Sequence, residues 1–426
     1  MRTNARFAFL LCTLGIASAC GNATPSVDAQ SAADETIIGG FDASAKSLDA
    51  IGSIGIMQDG KYQMICSGTL IGPRTVLTAK HCAIFLEDQQ TPQQLWGSKL
   101  VNVYDMAFAT GNANNPTAIY EAIDAEISPV SAGGFVGLGN DVSVYHLKTD
   151  VVGIKPMAFG KTPITSEMLG SKLVAVGYGS QTNLQDWTGK LNGTRQMGTL
   201  TLEALRGNVF GFIFGGFEGY LAKLTDMYGA EAVAGCQADP ECAKSLQDGY
   251  AAGSLLENYE VWGSMMAGDA VTCHGDSGGP IIRKMADASG RLVNSVVGVT
   301  SGGMGSKNRA CDYGTVFATL GPRTQEMIAA ALTYQDPCPD VSATGMCDGD
   351  VARRCTGKWE GDRHLSVVDC SMLDLTCATL ADGKVGCVDP TVPDNSASGA
   401  TPVAVPNTTE LRQVIESKTA SVSPTL

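Results

Sequence analysis

Gly275-Asp276-Ser277-Gly278-Gly279-Pro280 is the stretch whose reading decides the fold. A serine hydroxyl becomes a useful nucleophile when a base takes its proton, and the base needs a carboxylate to fix its tautomer. Two further pieces stand upstream in the order such a mechanism needs: Thr78-Ala79-Lys80-His81-Cys82 and Asn140-Asp141-Val142-Ser143-Val144. One histidine, one aspartate and one serine, each in a recognisable setting, supply all three groups.

Outward from these pieces, residues from Ile37 to about Ala331 show short apolar runs broken by glycine and turn residues, such as Ile51 to Met57, Ser67 to Ile71, Lys172 to Val176 and Val293 to Thr300. Such spacing predicts an all-β barrel or sandwich, closed by a helix over Thr324 to Thr333. The stretch at about 205–260 breaks the pattern. Phe210-Gly211-Phe212-Ile213-Phe214-Gly215-Gly216-Phe217 is aromatic and glycine-rich, and Tyr220 to Leu256 has helical composition. Cys236 and Cys242 read as a local staple within it. Two readings of this insertion are open: packing on the barrel, or a lid over a substrate.

The chain of 426 residues carries a formal net charge of −14, is rich in glycine (51) and holds 14 cysteines. An acidic chain is a poor partner for nucleic acid or a polyanionic surface, so the charge reads as solubility. Arg2 and Arg6 precede the apolar run Phe7 to Ile16, and Ala17-Ser18-Ala19 follows, the layout of an export signal over 1–19. The run is too short to span a bilayer comfortably. Cys20 resembles the lipid-accepting cysteine of a bacterial lipoprotein, although Ala17 stands where a large aliphatic residue is usual. Ordinary cleavage and lipidation both remain open. Residues 20–36 read as a leader or propeptide. With Cys12 and Cys20 set aside, the remaining cysteines are even in number and fit an oxidising compartment. Six of them, at 338, 347, 355, 370, 377 and 387, make 336–390 a small disulfide-held module. No C-x2-C pair occurs, which counts against zinc. Residues 391–426 are rich in Ser, Thr, Pro and Ala and read as a disordered tail.

Together the three pieces resemble the trypsin/chymotrypsin family of serine peptidases, over Ile37 to about Ala331, with 37–335 as the peptidase domain. The Gly-Asp-Ser-Gly-Gly-Pro motif and the order His, Asp, Ser are specific to it. A lone Gly-x-Ser-x-Gly would point to another fold. The resemblance implies two six-stranded β-barrels with the site between them. It implies Ser277 as nucleophile, His81 as base and then acid, and Asp141 as the group that orients the imidazole. Asp124 and Asp105 lie in the same interval but lack the Asn140-Asp141-Val setting. The N–H groups of Gly275 and Ser277 are the implied oxyanion hole. Cys66 with Cys82, and Cys273 with Cys311, are the implied bridges under the histidine and across the substrate pocket. His146 and His364 lack the family setting and read as structural or surface groups. Lys80 replaces the usual alanine beside the histidine and is expected to point away from the site.

Ile37-Ile38-Gly39-Gly40 resembles the family's mature N-terminus. Cleavage after Thr36 would free an ammonium group to pair with Asp276, setting pocket and oxyanion hole together. Thr36 is not basic, so a trypsin-like activator is not expected. The implied pocket comprises Val271, Thr272, Ser301, Gly303 and Thr315. Val271 stands where a carboxylate would meet a cationic substrate, so apolar rather than basic side chains are expected before the cut bond. The spacing across Met304 to Tyr313 leaves open whether Gly314 or Thr315 shapes the pocket, and a shift there would bring in Asp312. Gly302 stands where tryptophan is common, which opens the substrate shelf.

The expectation is therefore a secreted or exported serine endopeptidase acting on protein or peptide substrates. It needs an activating protease and no cofactor or metal, makes no nucleic-acid contact, and has an open question of membrane attachment through Cys20. The 336–390 module reads as a tether or a stabilising cap, with Trp359 a candidate contact. The rival reading is a non-catalytic binding protein on a peptidase scaffold, and an esterase with the same triad is a third.

Overall fold

The computed structural model describes residues 37–84, 106–180, 193–263, 266–305, 311–356 and 364–390, apart from a few single or paired loop positions such as Gly39 and 131–132. The expected export signal, leader and C-terminal tail, with Asp105 and Trp359, lie outside the described residues. These residues divide into two compact units after Tyr334.

The first unit holds two barrels. After the short β1 (Phe41–Asp42), the strands β2 (Ile51–Gln58), β3 (Lys61–Gly72), β4 (Thr75–Thr78), β5 (Met106–Asn112), β6 (Asn115–Ile127) and β7 (Ser143–Leu147) follow. β2 to β7 close in the order β2-β3-β4-β7-β6-β5. Their inward apolar positions, among them Ile51, Ile54, Leu70, Leu77, Phe108 and Tyr145, are fully buried. Each such side chain contributes about 1.5–3 kcal/mol of burial. Closure removes free strand edges.

The second barrel uses β9 (Lys172–Gly177), β10 (Gln196–Ala204), β11 (Glu260–Gly263), β12 (Pro280–Ala286), β13 (Leu292–Gly303) and β14 (Thr315–Thr319); β8 (Ala158–Phe159) runs parallel beside β13. The order β9-β10-β11-β14-β13-β12 closes because β12 pairs back onto β9, as Ile281 with Ala175. Leu173, Leu200, Leu202, Val261, Ile281 and Phe317 fill it. Pro280 opens β12, the strand position where a missing N–H costs least. The expected double six-stranded β-barrel of the chymotrypsin type is the architecture observed.

The turn into α1 (His81–Ile84) follows β4. Between β10 and β11 four helices are inserted: α2 (Val209–Phe214), α3 (Phe217–Tyr228), α4 (Ala230–Ala238) and α5 (Pro240–Ala251). Their ends are locally encoded. The Asn208 side chain accepts the Gly211 N–H and caps α2, which stops at Gly215 with φ of 79°. Asp239 caps α5 by accepting the Cys242 N–H, with Pro240 in the first turn, and a disulfide joins Cys236 to Cys242. Tyr220, Leu221 and Leu224 recur at helical spacing on α3 and bury against Phe210, Trp262 and Val316. α6 (Pro322–Ala331) buries Thr324, Ile328 and Ala331 and closes the unit. Among the described residues no helix is long and apolar enough to cross a membrane.

One side chain fastens barrel to barrel. Asn140, on the approach to β7, donates from Nδ2 to the carbonyls of Tyr259 (3.1 Å) and Thr319 (3.0 Å), and its Oδ1 accepts from Thr324 Oγ1. The second unit pairs β15 (Met346–Asp348), β16 (Val351–Thr356) and β17 (His364–Asp369) in one antiparallel sheet, and β18 (Thr376–Thr379) with β19 (Val385–Val388) in a hairpin. Disulfides 338–355, 347–377 and 370–387 hold it. Among the described residues its buried cluster is Ala352, Cys370, Val385 and Cys387, so covalent bridges take the place of a large core.

Candidate active site

His81 begins α1 immediately after β4, and the Cys66–Cys82 disulfide ties that turn to β3. Asp141 is buried and grips the histidine twice. Its Oδ1 accepts the His81 backbone N–H at 2.8 Å, and its Oδ2 lies 2.8 Å from His81 Nδ1. A carboxylate on Nδ1 holds the proton there and leaves Nε2 as the basic nitrogen. Ser301 Oγ, from β13 of the second barrel, donates to the same Oδ2 at 2.5 Å. Burial pushes the Asp141 carboxyl up, but the His81 charge and the hydrogen bonds from His81 and Ser301 outweigh it and hold the group below the ordinary value. Asp124 is engaged elsewhere, accepting from Ala125 N–H and Tyr334 Oη, while His146 stacks on Tyr334 with centroids 3.7 Å apart and meets Glu126. Lys80 is buried beside His81. His364 lies on β17 of the second unit.

The loop bearing Ser277 is docked onto both barrels. Ser67 of β3 donates its N–H to Ser277 C=O (2.7 Å) and its Oγ to Gly275 C=O (2.8 Å). On the other side Gly278 N–H donates to Thr300 C=O and Thr300 N–H to Gly279 C=O, both at 2.8 Å. A Cβ on Gly278 would fall 2.0 Å from Thr78 Oγ1 and 2.8 Å from Ala79 N. The serine loop therefore lies against the turn that presents His81. Gly275 takes φ of 91°, a conformation open to glycine. Among the described residues no carbonyl takes the N–H of Gly275 or of Ser277.

Asp276 points the opposite way, into the second barrel. Its carboxylate is fully buried and accepts from Gly179 N–H (2.8 Å) and Cys273 N–H (2.9 Å). Side chains at Gly177 or Gly179 would collide with it. Burial pushes the carboxyl up to about 7 despite these two donors. Ile37 is buried in the uncut chain, and Ile38 bridges to Val271, whose N–H donates to Ile38 C=O at 3.0 Å.

Residues 37–202 match the family model described as Trypsin. The chain carries a domain of the trypsin/chymotrypsin-like serine peptidase family. No curated protein matches the chain. The match ends inside β10, just ahead of the helical insertion, so Ser277 lies beyond it.

In this trypsin-family domain Ser301 and Gly303 lie on β13 and Thr315 opens β14, while Val271 and Thr272 lie in the segment between β11 and β12. Gly303 pairs with Thr315 at the end of the β13–β14 ladder, and the Cys273–Cys311 disulfide spans the gap. Thr315 and Thr272 are buried and meet Oγ1 to Oγ1 at 2.9 Å. The Thr315 side chain meets Thr272, and a Cβ on Gly314 would fall 2.5 Å from the Trp262 ring. Asp312 donates its backbone N–H to Met304 C=O.

Two neighbours of the site carried no motif. His274, just before Gly275, is half-buried, and burial lowers its pKa; adjacency to the serine loop was the available signal. Glu260 on β11 is fully buried, accepting Phe135 N–H with both oxygens (3.1 and 2.9 Å) and Leu256 N–H (2.8 Å). Burial, with the nearby Asp141 charge, pushes it up to about 7. A glutamate within Glu260-Val261-Trp262-Gly263 was its only sequence sign. Among the described residues the one gathering of metal-type ligands is Cys66, His81 and Cys82, whose two sulfurs are joined to each other.

Proposed function

We propose that this domain is a serine endopeptidase using Ser277, His81 and Asp141. The observation that carries the reading is the two-point Asp141–His81 clasp, with the Ser277 loop docked on the turn that presents His81. Ser277 Oγ attacks the scissile carbonyl carbon and its proton passes to His81 Nε2. The C–N bond then breaks as His81 returns the proton to the departing amine. Water, deprotonated by the same nitrogen, attacks the acyl-enzyme and releases the acid. Asp141 stays ionised and steadies the imidazolium. The N–H groups of Gly275 and Ser277 meet the negative oxygen of each tetrahedral intermediate.

Activation by cleavage between Thr36 and Ile37 belongs to the same reading. The new ammonium would pair with Asp276, a buried carboxylate that has two N–H donors among the described residues. Thr36 directs this cut to a protease without basic preference. The Thr272–Thr315 contact across the pocket favours small apolar side chains before the scissile bond, and Val271 offers no charge to a basic one. Export by residues 1–19, with lipid attachment at Cys20 as the alternative to free secretion, completes the reading. The 336–390 module serves as a cap or tether.

The test is intact-mass analysis of the exported protein after a fluorophosphonate probe. One adduct on a species starting at Ile37, absent in Ser277→Ala, is the expected result. An adduct on the uncut chain removes the Ile37–Asp276 step. No adduct on a chain starting at Ile37 moves the assignment to a binding protein on a peptidase scaffold.

A further inference from the structure

Asp141 reaches His81 at the end of a loop, residues 128–140, that leaves β6 and returns to β7. The neck of this loop is closed twice: Asn140 N–H donates to Val130 C=O at 2.9 Å, and Gly139 N–H to Gly133 C=O at 2.8 Å. A chain closed at its neck passes any displacement of its tip to the residues beyond, here Asn140 and Asp141. The tip carries Phe135, and it is held from the other barrel. Glu260 opens β11 and is fully buried. Its two oxygens accept the Phe135 N–H at 3.1 and 2.9 Å, and Oε2 also accepts the Leu256 N–H at 2.8 Å. Gly134, with φ of 83°, lies so close that a Cβ there would fall 2.6 Å from Glu260 Oε1. The base of the loop is tied to the same place, since Asn140 Nδ2 donates to the carbonyl of Tyr259, just before Glu260. Two attachments fix the direction of a loop, where one would leave it free to pivot.

The other arm of the clasp is the foot of the helical insertion. Leu256 follows the neck where the insertion leaves the barrel; there Leu255 N–H donates to Gly207 C=O and Val209 N–H to Gly253 C=O, both at 2.8 Å. Glu260 returns its own N–H to Leu256 C=O at 2.8 Å. The insertion is itself anchored. The Phe214 ring of α2 packs edge-on to Tyr313 with centroids 5.7 Å apart, and Phe210 meets the Phe135 ring at the same separation. Glu260 therefore joins the loop that ends in Asp141, the foot of the insertion and β11. A leucine there would fill the space and leave both N–H groups without their acceptor. Asp141 is the charged group whose field reaches Glu260 and opposes its ionisation. A neutral clasp suffices, because the two donors need only lone pairs.

We propose that Glu260 is a positioning residue for the triad: by clasping Phe135 and Leu256 it braces the Asp141 loop on the foot of the helical insertion. The insertion thereby serves the reaction through the aim of Asp141, without covering the nucleophile or touching the substrate. This rests on the peptidase reading. Misplacing a catalytic group by an ångström costs up to about a hundredfold in rate with no change in substrate contacts. The effect therefore falls on kcat and spares KM.

The test compares Glu260→Ala and Glu260→Gln in the activated full chain, with fluorophosphonate labelling of every preparation. Glu260→Ala lowers kcat by about thirtyfold with KM within about twofold, and Glu260→Gln, which keeps an acceptor for both N–H groups, stays within about threefold of wild type. Proton NMR follows the His81 Nδ1 proton in its 2.8 Å bond to Asp141. Its low-field signal moves or broadens in Glu260→Ala and stays in place in Glu260→Gln. Gly134→Ala, which drives a Cβ into the clasp, also lowers kcat, and it adds less than about twofold to Glu260→Ala, as two residues acting through one contact should. If Glu260→Ala does not fold, Gly134→Ala carries the test, and an unchanged kcat there overturns the proposal. Equal losses in Glu260→Ala and Glu260→Gln, a loss in KM alone, or an unmoved His81 signal overturn the positioning role while labelled wild-type enzyme keeps the peptidase reading. Absence of label in the wild-type chain overturns that reading, and the positioning role with it.

Discussion

The serine loop, 273–280, and the helical insertion, 208–256, are each held by a buried carboxylate whose partners are main-chain N–H groups. Asp276 holds Cys273 and Gly179; Glu260 holds Phe135 and Leu256 at the insertion's base. Both carboxyls are pushed up to about 7 by burial. Their neighbours differ. Burial alone raises Asp276, and the proposed cut before the buried Ile37 would bring it a positive charge. Glu260 feels Asp141, a second negative charge that opposes its ionisation. On the proposed activation, similar local chemistry would make a switch at Asp276 and a fixed clamp at Glu260, because the surrounding charge decides whether the anion is favoured.

The largest effect separates the two. Asp276→Asn should lower kcat/KM of the activated enzyme about a hundredfold to a thousandfold, since no charge draws in the Ile37 ammonium to order the oxyanion hole. Glu260→Gln should stay within about threefold on the same substrate, because the amide reproduces a neutral carboxyl. Equal losses in both variants would break the distinction.

Stability against pH sharpens it. Each carboxyl is raised above its unfolded value, so its stabilising part is whole below about pH 4 and is lost as pH rises through about 7. The loss is at most ~4 kcal/mol for each group. Denaturant titrations of the uncut chain from pH 4 to 8 should show this decline, and Glu260→Gln or Asp276→Asn should each remove part of it. Cleavage before Ile37 should erase the Asp276 share and leave the Glu260 share intact. A cut chain with an unchanged pH profile would remove the ion pair from the account.

Two smaller effects test each region by itself. Leu224→Ala opens a void against Phe210 and Trp262, and should cost the insertion about 2–4 kcal/mol. Hydrogen exchange should show that loss over 208–256 before it appears in β2 to β7. Thr315→Gly should shift the cleaved position from alanine toward phenylalanine by about ten- to a hundredfold in kcat/KM, roughly 1–3 kcal/mol. No shift would mean that the Thr272–Thr315 contact does not limit the pocket.

The all-β character was readable because the strands are short apolar runs between glycines, whereas the double barrel was implied by the family resemblance that the His81, Asp141 and Ser277 segments carry, each in its own local motif. Everything that depended on distance along the chain was harder. The choice between Gly314 and Thr315 turned on a loop of irregular length, and the facing Thr272 hydroxyl favours Thr315. The insertion announced itself through composition, yet its seat against Tyr313 follows from β10 and β11 being neighbours in the barrel, which no periodicity records. Glu260 left almost no trace, since one acidic residue in an apolar strand looks the same whether it faces solvent or a ring of N–H groups. The pairing of the six cysteines in 336–390 was open because spacing does not choose among connectivities.

Asn140 carries a consequence of its own. It precedes Asp141 and bonds to two carbonyls of the other barrel, while Asp141 takes its hydroxyl partner Ser301 from that same barrel. In the proposed triad, the segment bearing the acidic member is thus a rivet as well as a reagent. A rigid-body parting of the barrels by even an ångström would leave every strand intact and break the contacts that orient the imidazole. On heating or in dilute denaturant, hydrolysis should therefore fail while circular dichroism still records a full complement of sheet, and catalytic output becomes a gauge of the seam between the barrels.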